Sequence, residues 1–294
     1  MSPDPLAPLA HARTFLFVPA DRPERYGRAL AAGAGAVVID LEDAVAPDNK
    51  ARARQALVDG FDAISAQDRR RILVRVNAFA SPWHEADRSL VSQLSRQGLG
   101  GVMVPKAERV EDLVPMAEAV GQHGVLIPLI ETLEGLDAAD AIARAPQVLR
   151  LAFGHLDFQV DLGLACDAKE AELTSVRMAL VMASRRAHLA RPIDGITAEW
   201  RDSARVASDA HRARQGGFGA KLCIHPSQVD TVQQALGPTE DELTWARRVV
   251  EAAAAATGAV VSLDGRMIDT PVVLHARRLI ASASGLGSSE GGAS

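Results

Sequence analysis

The chain has 294 residues, enough for one large domain or two small ones. Hydrophobic residues make up 48% of it and aromatics only 4%, so a sizeable core has to be assembled from Ala, Val, Leu and Ile. A formal charge of −5 with a pI near 5.9, both signs interspersed, argues against a general nucleic-acid binder.

The N-terminal stretch MSPDPLAPLAHAR has no basic segment followed by an apolar one, so no signal peptide is expected. Short apolar runs then alternate with longer segments of helical pattern. The runs are TFLFVPA (14–20), AVVIDLED (36–43), ILVRVN (72–77), GVMVPK (101–106), VLIPLIET (125–132), VLRLAFG (148–154), PIDGITA (192–198) and AKLCIHP (220–226). Near-continuous apolarity of this length fits strands buried on both faces, as in parallel sheets. Between them, 22–33 reads as a helix stopped by Gly33, 48–64 as a helix capped by Asp48, and 110–124 as one ending at Gly124. Segments 168–190 and 201–215 repeat the pattern, and Gly216-Gly217 turns the chain back into the last run.

Eight strand-then-helix units predict an α/β fold, a (β/α)8 TIM barrel over about residues 11–236. The competing architecture is a doubly wound open sheet, which the count of eight disfavours. Residues 237–294 read as a C-terminal helical extension and lid. There Thr239 and Glu242 form a capping box, Asp264-Gly265 a tight turn inside VVSLDGRMID, 271–283 a short helix, and the tail from about 284 a disordered segment. No apolar run reaches the roughly 18 residues of a membrane span, and the two cysteines, Cys166 and Cys223, form no CxxC pair or disulfide framework. The expectation is a cytoplasmic protein with reduced thiols.

The strand ends carry the chemistry, because active sites of such barrels sit at the C-terminal face. Read in order they offer Asp21 and Arg22; Asp40, Glu42 and Asp43; Arg75 and Asn77; Lys106; Glu131; His155 and Asp157; Asp194 and Glu199; and His225. Any one of these carboxylates could be an ordinary helix cap or a solvated loop residue. Together they form an acidic ring, in which like charges repel unless a cation sits among them. Isolated carboxylates suit Mg2+, or Mn2+, with water completing the shell, and Glu131 with Asp157 are the pair expected to bind it directly. His225 reads as a strand terminator, and the glycine run 216–219 precedes a strand and so is no phosphate-binding fingerprint. There is no zinc spacing and no G-x-S-x-G elbow.

The segments LFVPADRPER, VVIDLEDAVAPDNKARAR, VRVN, VPKAE, LIET, FGHLD, GGFGAKLCIHPSQ and GRMID, in this order, resemble the citrate lyase β-subunit-like group of the HpcH/HpaI aldolase superfamily, over roughly residues 13–281. The resemblance implies a (β/α)8 barrel, Mg2+ and an acyl-CoA substrate such as malyl-, citramalyl-, citryl- or hydroxymethylglutaryl-CoA, cleaved or formed at a carbon–carbon bond. By motif, it implies Glu131 and Asp157 as metal ligands and Arg75 as the anchor of the oxo-acid carboxylate. Asp40, Glu42 and Asp43 would support the metal waters and the pocket. Asp269 of GRMID would be a catalytic residue reaching a neighbouring subunit, which implies a homotrimer or a hexamer. Arg22, Arg25, Lys50 and Lys106 are the cations available to CoA phosphates. The chain departs from the group at Gly217-Phe218-Gly219-Ala220-Lys221 and at His155, which leaves acyl specificity open. The alternatives are a CoA-independent class II pyruvate aldolase, a malate synthase or thioesterase activity, and a non-catalytic binding subunit.

Overall fold

The computed structural model describes residues 7–255, 261–264 and 266–284, and the chain divides after Gln233 into two compact units. In the first unit eight parallel strands close into a barrel in sequence order, β1 (Thr14–Pro19), β2 (Ala36–Asp40), β3 (Ile72–Arg75), β4 (Gly101–Val104), β5 (Val125–Ile130), β6 (Ala152–Phe153), β7 (Ile193–Asp194) and β8 (Ala220–Cys223), with β8 pairing back onto β1. The (β/α)8 expectation is therefore met, and the open sheet is excluded. Every residue of β2, β3, β4, β5 and β8 is buried, as strands covered on both faces require.

The helices follow in chain order: α1 (Ala7–His11), α2 (Tyr26–Ala31), α3 (Lys50–Phe61), α4 (Ala66–Arg69), α5 (His84–Ser95), α6 (Val110–Val120), α7 (Leu133–Asp137), α8 (Ala139–Ile142), α9 (His155–Leu162), α10 (Thr174–Arg186), α11 (Ser203–Gln215) and α12 (Val229–Leu236). Several boundaries differ from the sequence expectation. Asp48 caps nothing: it lies in a 3-10 turn, Pro47–Asn49, and α3 begins only at Lys50. α6 stops at Gly121 rather than Gly124, because Gly121 takes the left-handed φ of 71°. The run 148–154 yields only two strand residues. Below them, pairing to β5 continues through the Leu126–Val148 bridge, and Arg150 is buried with its guanidinium on the carbonyls of Leu9, Ala12 and Arg191.

The barrel interior is a stack of alternate residues. Phe15, Ala36, Val38, Leu73, Met103, Val125, Ile127, Leu129, Ala152, Ile193, Ala220 and Leu222 form one buried cluster. Side chains two apart on a strand share a face. The inward columns Ala36-Val38, Leu73 and Val125-Ile127-Leu129 therefore continue upward to Asp40, Arg75 and Glu131.

The second unit holds α13 (Glu240–Ala255), the antiparallel hairpin β9 (Val261–Leu263) and β10 (Arg266–Ile268), and α14 (Thr270–Ser284). Its own core is Ala246, Val249, Ile268, Ala276 and Leu279. The capping box is formed: Thr239 N donates to Glu242 Oε2 (2.7 Å), and Glu242 N to Thr239 Oγ1 (3.2 Å). Asp264 takes a left-handed φ of 52° at the hairpin turn, while Gly265 and the tail expected to be disordered lie outside the described residues, apart from the end of α14. Asp269 caps α14 by accepting from Val272 N (3.1 Å). Among the described residues no helix is long and apolar enough to cross a membrane.

Candidate active site

At the C-terminal ends of the strands the first unit has a cavity of about 440 Å3 whose floor is Phe17, Leu129, Phe153 and Leu222 and whose polar groups are Asp40, Asp43, Arg75, Glu131, His155 and Asp157. Its two sides are built differently.

On the β2–β3 side, Arg75 is held by Asp40 through two parallel hydrogen bonds, Nε to Oδ1 (2.7 Å) and Nη2 to Oδ2 (2.6 Å). Its Nη1 lies 2.9 Å from Glu42 Oε2 and 3.3 Å from Asp43 Oδ2, and its face packs on Phe17 at 4.8 Å from the ring centroid. Asp40 is itself fixed by the amides of Glu42 (2.9 Å) and Ala44 (3.1 Å), a turn made by the side chain of a strand's last residue. Burial opposes the charge of Arg75, but Asp40, then Glu42 and Asp43, raise its pKa above the ordinary value. Burial pushes the Glu42 carboxyl up to about 7, with Arg75 opposing the shift. The bidentate fork expected for a substrate carboxylate is thus already occupied by Asp40. The nitrogen of Arg75 outside that fork is Nη1, beside Glu42 and Asp43.

On the β5–β6 side, Glu131 is 2% exposed and accepts one hydrogen bond, from Lys106 N to Oε1 (2.8 Å). Lys106 reaches it in a left-handed conformation, φ 46°. Burial, then the neighbouring carboxylates Glu42 and Asp157, push the Glu131 pKa well above the ordinary value. Asp157 lies in the first turn of α9, exposed and lining the cavity. Gly154 makes room: a Cβ there would stand 2.4 Å from Glu131 Oε2 and 2.6 Å from its Cβ. Two carboxylates on adjacent βα connections, one buried at high proton affinity, form an all-oxygen donor set that fits a hard divalent cation. Among the described residues there is no group of three or more His, Cys, Asp or Glu that could hold a metal. An ion held by two carboxylates alone would have positions left for water and substrate.

The remaining predicted residues are dispersed. Arg22 is exposed beside Asp21 (4.0 Å), and Arg25 is exposed in the same loop. Lys106 brings its backbone N–H to the site while its side chain is exposed. Lys50 corrects an expectation: it is buried, with its ammonium on the carbonyls of Leu41 and Glu42 and on Asn77 Oδ1, and is no surface cation for a CoA phosphate. Asp194 is buried against Arg177 (2.9 Å). Glu199 lines a separate cavity of about 350 Å3 beside the first. His225 accepts from Ser227 N and stacks on Trp200 with ring centroids 3.9 Å apart.

Two groups escaped the sequence reading. Asp87 is fully buried and accepts from Asn77 N, Asn77 Nδ2 and Arg54 Nε. A signal existed, since Asp87 shares a helix face with Leu90, Val91 and Leu94, and an acid on an apolar face must find partners. Glu170 joins His155 (3.4 Å), Arg177 (2.5 Å) and Arg212 (2.9 Å). Burial alone would raise its pKa, yet His155 and Arg177 hold it well below the ordinary range. Nothing in the local sequence distinguishes Glu170 from a solvated loop acid.

The sequence profile described as HpcH/HpaI aldolase/citrate lyase matches residues 13–226. A citrate lyase subunit beta-like protein of Deinococcus radiodurans is 34% identical over 283 residues, covering 93% of this chain and 98% of the relative. A (3S)-malyl-CoA thioesterase of Cereibacter sphaeroides is 28% identical over 277 residues, covering 93% and 95%. Among solved structures, CitE of Mycobacterium tuberculosis in complex with magnesium, acetoacetate and coenzyme A superposes with a TM-score of 0.80 at 31% identity, covering 94% of this chain and 99% of that one.

Proposed function

The chain belongs to the HpcH/HpaI aldolase/citrate lyase family, and from that premise we propose that it is a Mg2+-dependent carbon–carbon lyase acting on a 3-hydroxyacyl-CoA thioester. The observation that carries the reading is the pairing, across one cavity, of two cation-seeking carboxylates with an arginine held rigid by Asp40. The magnesium and coenzyme A of the M. tuberculosis complex support the choice of ion and substrate class.

Glu131 and Asp157 would hold Mg2+, with Glu42 and Asp43 ordering water beside it, while Asp40, whose oxygens are taken by Arg75 and two amides, supports the pocket by holding Arg75. Bound there, the ion supplies Lewis acidity that lowers the pKa of a substrate hydroxyl. Arg75 binds the carboxylate on the hydroxyl-bearing carbon through Nη1, and Asp40 fixes the plane in which it does so. Arg22 and Lys106, exposed beside the mouth strands, are the cations proposed for the CoA end. Transfer of the hydroxyl proton to water in the cavity and breakage of the bond to the CH2 next to the thioester carbonyl leave a 2-oxo acid (acetoacetate from hydroxymethylglutaryl-CoA) and a thioester enolate. Asp269 of a neighbouring subunit delivers a proton to that CH2 carbon, and removes it in the synthetic direction. The proposal therefore includes a homotrimer or hexamer, working in the cytoplasm.

A second reading has a specific observation in its favour, the (3S)-malyl-CoA thioesterase relative. In it, water attacks the thioester and free CoA thiol is released. One experiment separates the two. Malyl-, citramalyl-, citryl- and hydroxymethylglutaryl-CoA are each incubated with the protein in Mg2+ or EDTA, and oxo acid (or acetoacetate, from the last) and free thiol are scored separately. Oxo-acid product without thiol, abolished by EDTA and in Asp269→Ala, is the expected result. Thiol release would favour the thioesterase. Neither product from any thioester would overturn both.

A further inference from the structure

The DLED turn is gripped from below by a side chain that never reaches the cavity. Lys50, the first residue of α3, is 4% exposed, and its three ammonium protons meet three oxygens: Leu41 O (2.6 Å), Glu42 O (2.7 Å) and Asn77 Oδ1 (2.7 Å). Its Nζ also lies 5.1 Å from the Trp83 ring centroid. An ammonium has three donors and no acceptor, so Lys50 is saturated and has no capacity left for a ligand.

The third oxygen is itself held. Asn77 donates from N and Nδ2 to Asp87 Oδ2 (2.8 and 2.7 Å), and Asp87 Oδ1 accepts from Arg54 Nε (2.6 Å). The connections after β2 and β3 are thereby locked to α3 and α5. The other edge of the same turn is held by Asp40, which accepts from the amides of Glu42 and Ala44 while pairing with Arg75. Residues 41–44 are thus drawn by their carbonyls to Lys50 and by their amides to Asp40. This fixes the peptide planes that carry Glu42 and Asp43 to Arg75.

We propose that Lys50 is a positioning residue for the carboxylate anchor: it holds the turn after β2 so that Asp40, Glu42 and Asp43 set the orientation of Arg75. The inference rests on the reading of Arg75 as the group that binds the substrate carboxylate. A charged amine bonded to three neutral acceptors, rather than to a carboxylate, is costly to bury. The geometry it imposes is the compensating use.

The test pairs a measurement that needs no substrate with one that does. In Lys50→Met the amides of residues 42–46 should exchange with deuterium about ten-fold faster or more, while those of β1 and β5 keep their protection. The KM for the cleaved thioester should rise about ten-fold with kcat within about three-fold, because the anchor is used in ground and transition states alike. Lys50→Arg, which retains donors at the same place, should restore part of both. Unchanged exchange in the turn overturns the proposal, and so does faster exchange with unchanged KM. If Lys50→Met does not fold, Asn77→Ser, which leaves Lys50 its two carbonyls, carries the same two readouts with the same signs. If the unaltered protein cleaves no thioester of the panel, the functional reading fails. The exchange measurement then decides alone whether Lys50 holds the turn.

Discussion

The two sides of the barrel mouth use the same residue types to opposite effect. Around Arg75, three carboxylates converge on one guanidinium, and Asp40 meets it with two bonds of 2.6–2.7 Å. Around Glu131 there are carboxylates and one backbone N–H, and burial together with the neighbouring charges raises the proton affinity of Glu131. The first side has a cation at its centre and serves as a frame. The second is the side proposed to take a cation. Charge at a strand end therefore does not by itself mark a ligand; what differs is whether a side-chain cation already sits among the carboxylates.

The comparison breaks most visibly if Glu131 is neutralised. Glu131→Gln should abolish Mg2+ binding, read by calorimetry, and reduce turnover by about 1,000-fold or more, the scale of losing a principal electrostatic group. Its unfolding midpoint without metal at pH 8 should stay level or rise, since a carboxylate disfavoured by burial is removed. A lower midpoint would place Glu131 in the frame instead.

Neutralising the other side should do the reverse. Asp40→Asn leaves Arg75 buried with half its pairing gone and should cost about 3–5 kcal/mol of stability, measured by urea unfolding. Mg2+ affinity should change less than for Glu131→Gln.

The pH dependence joins the two sides. Glu42 is pushed up to about 7 by burial and Glu131 is shifted in the same direction. A carboxyl whose folded pKa exceeds its unfolded value holds its proton more tightly when folded. Stability is then highest below the ordinary value of 4.5 and is lost as pH rises through about 7. For Glu42 alone the loss is about 3 kcal/mol. Metal-free protein should unfold at lower urea at pH 8 than at pH 5, and Mg2+ should recover more at pH 8. A midpoint that rises over this window contradicts both assignments.

Gly154→Ala sharpens the metal side by geometry alone. The added carbon would stand 2.6 Å from Glu131 Cβ, not merely against its flexible end. We expect Mg2+ affinity to fall about 10- to 100-fold, the range seen when a ligand's support is disturbed. Lys106→Met should do least, within about three-fold in Mg2+ affinity, because the N–H that serves Glu131 belongs to the backbone and survives the substitution.

Much of the site was legible because a strand's period is strict. Asp40, Arg75 and Glu131 extend columns of alternating inward residues, so their pointing into the mouth follows from parity. The family motifs added Asp157, which lies on a helix and has no such parity argument. What stayed hidden depended on partners distant in sequence. Lys50 in a helix of charged and small residues reads as a solvated lysine, and only the approach of Leu41, Glu42 and Asn77 makes it a buried clamp. The fork of Arg75 reads as open to a substrate until Asp40, 35 residues earlier, is seen to fill it. Asp48 looks like a cap until Pro47 sets a 3-10 turn in its place.

The sequence by itself determined the barrel, its order of strands and the kinds of charge at its mouth, because burial period and residue type are written along the chain. The tertiary structure decided which of those charges pair with one another and which carboxylate is buried without a side-chain cation against it. Strand pairing brings β2 beside β3 and β5 beside β6, closure of β8 onto β1 gathers both pairs around one mouth, and at those distances, out of water, each group's proton affinity is set by its neighbours.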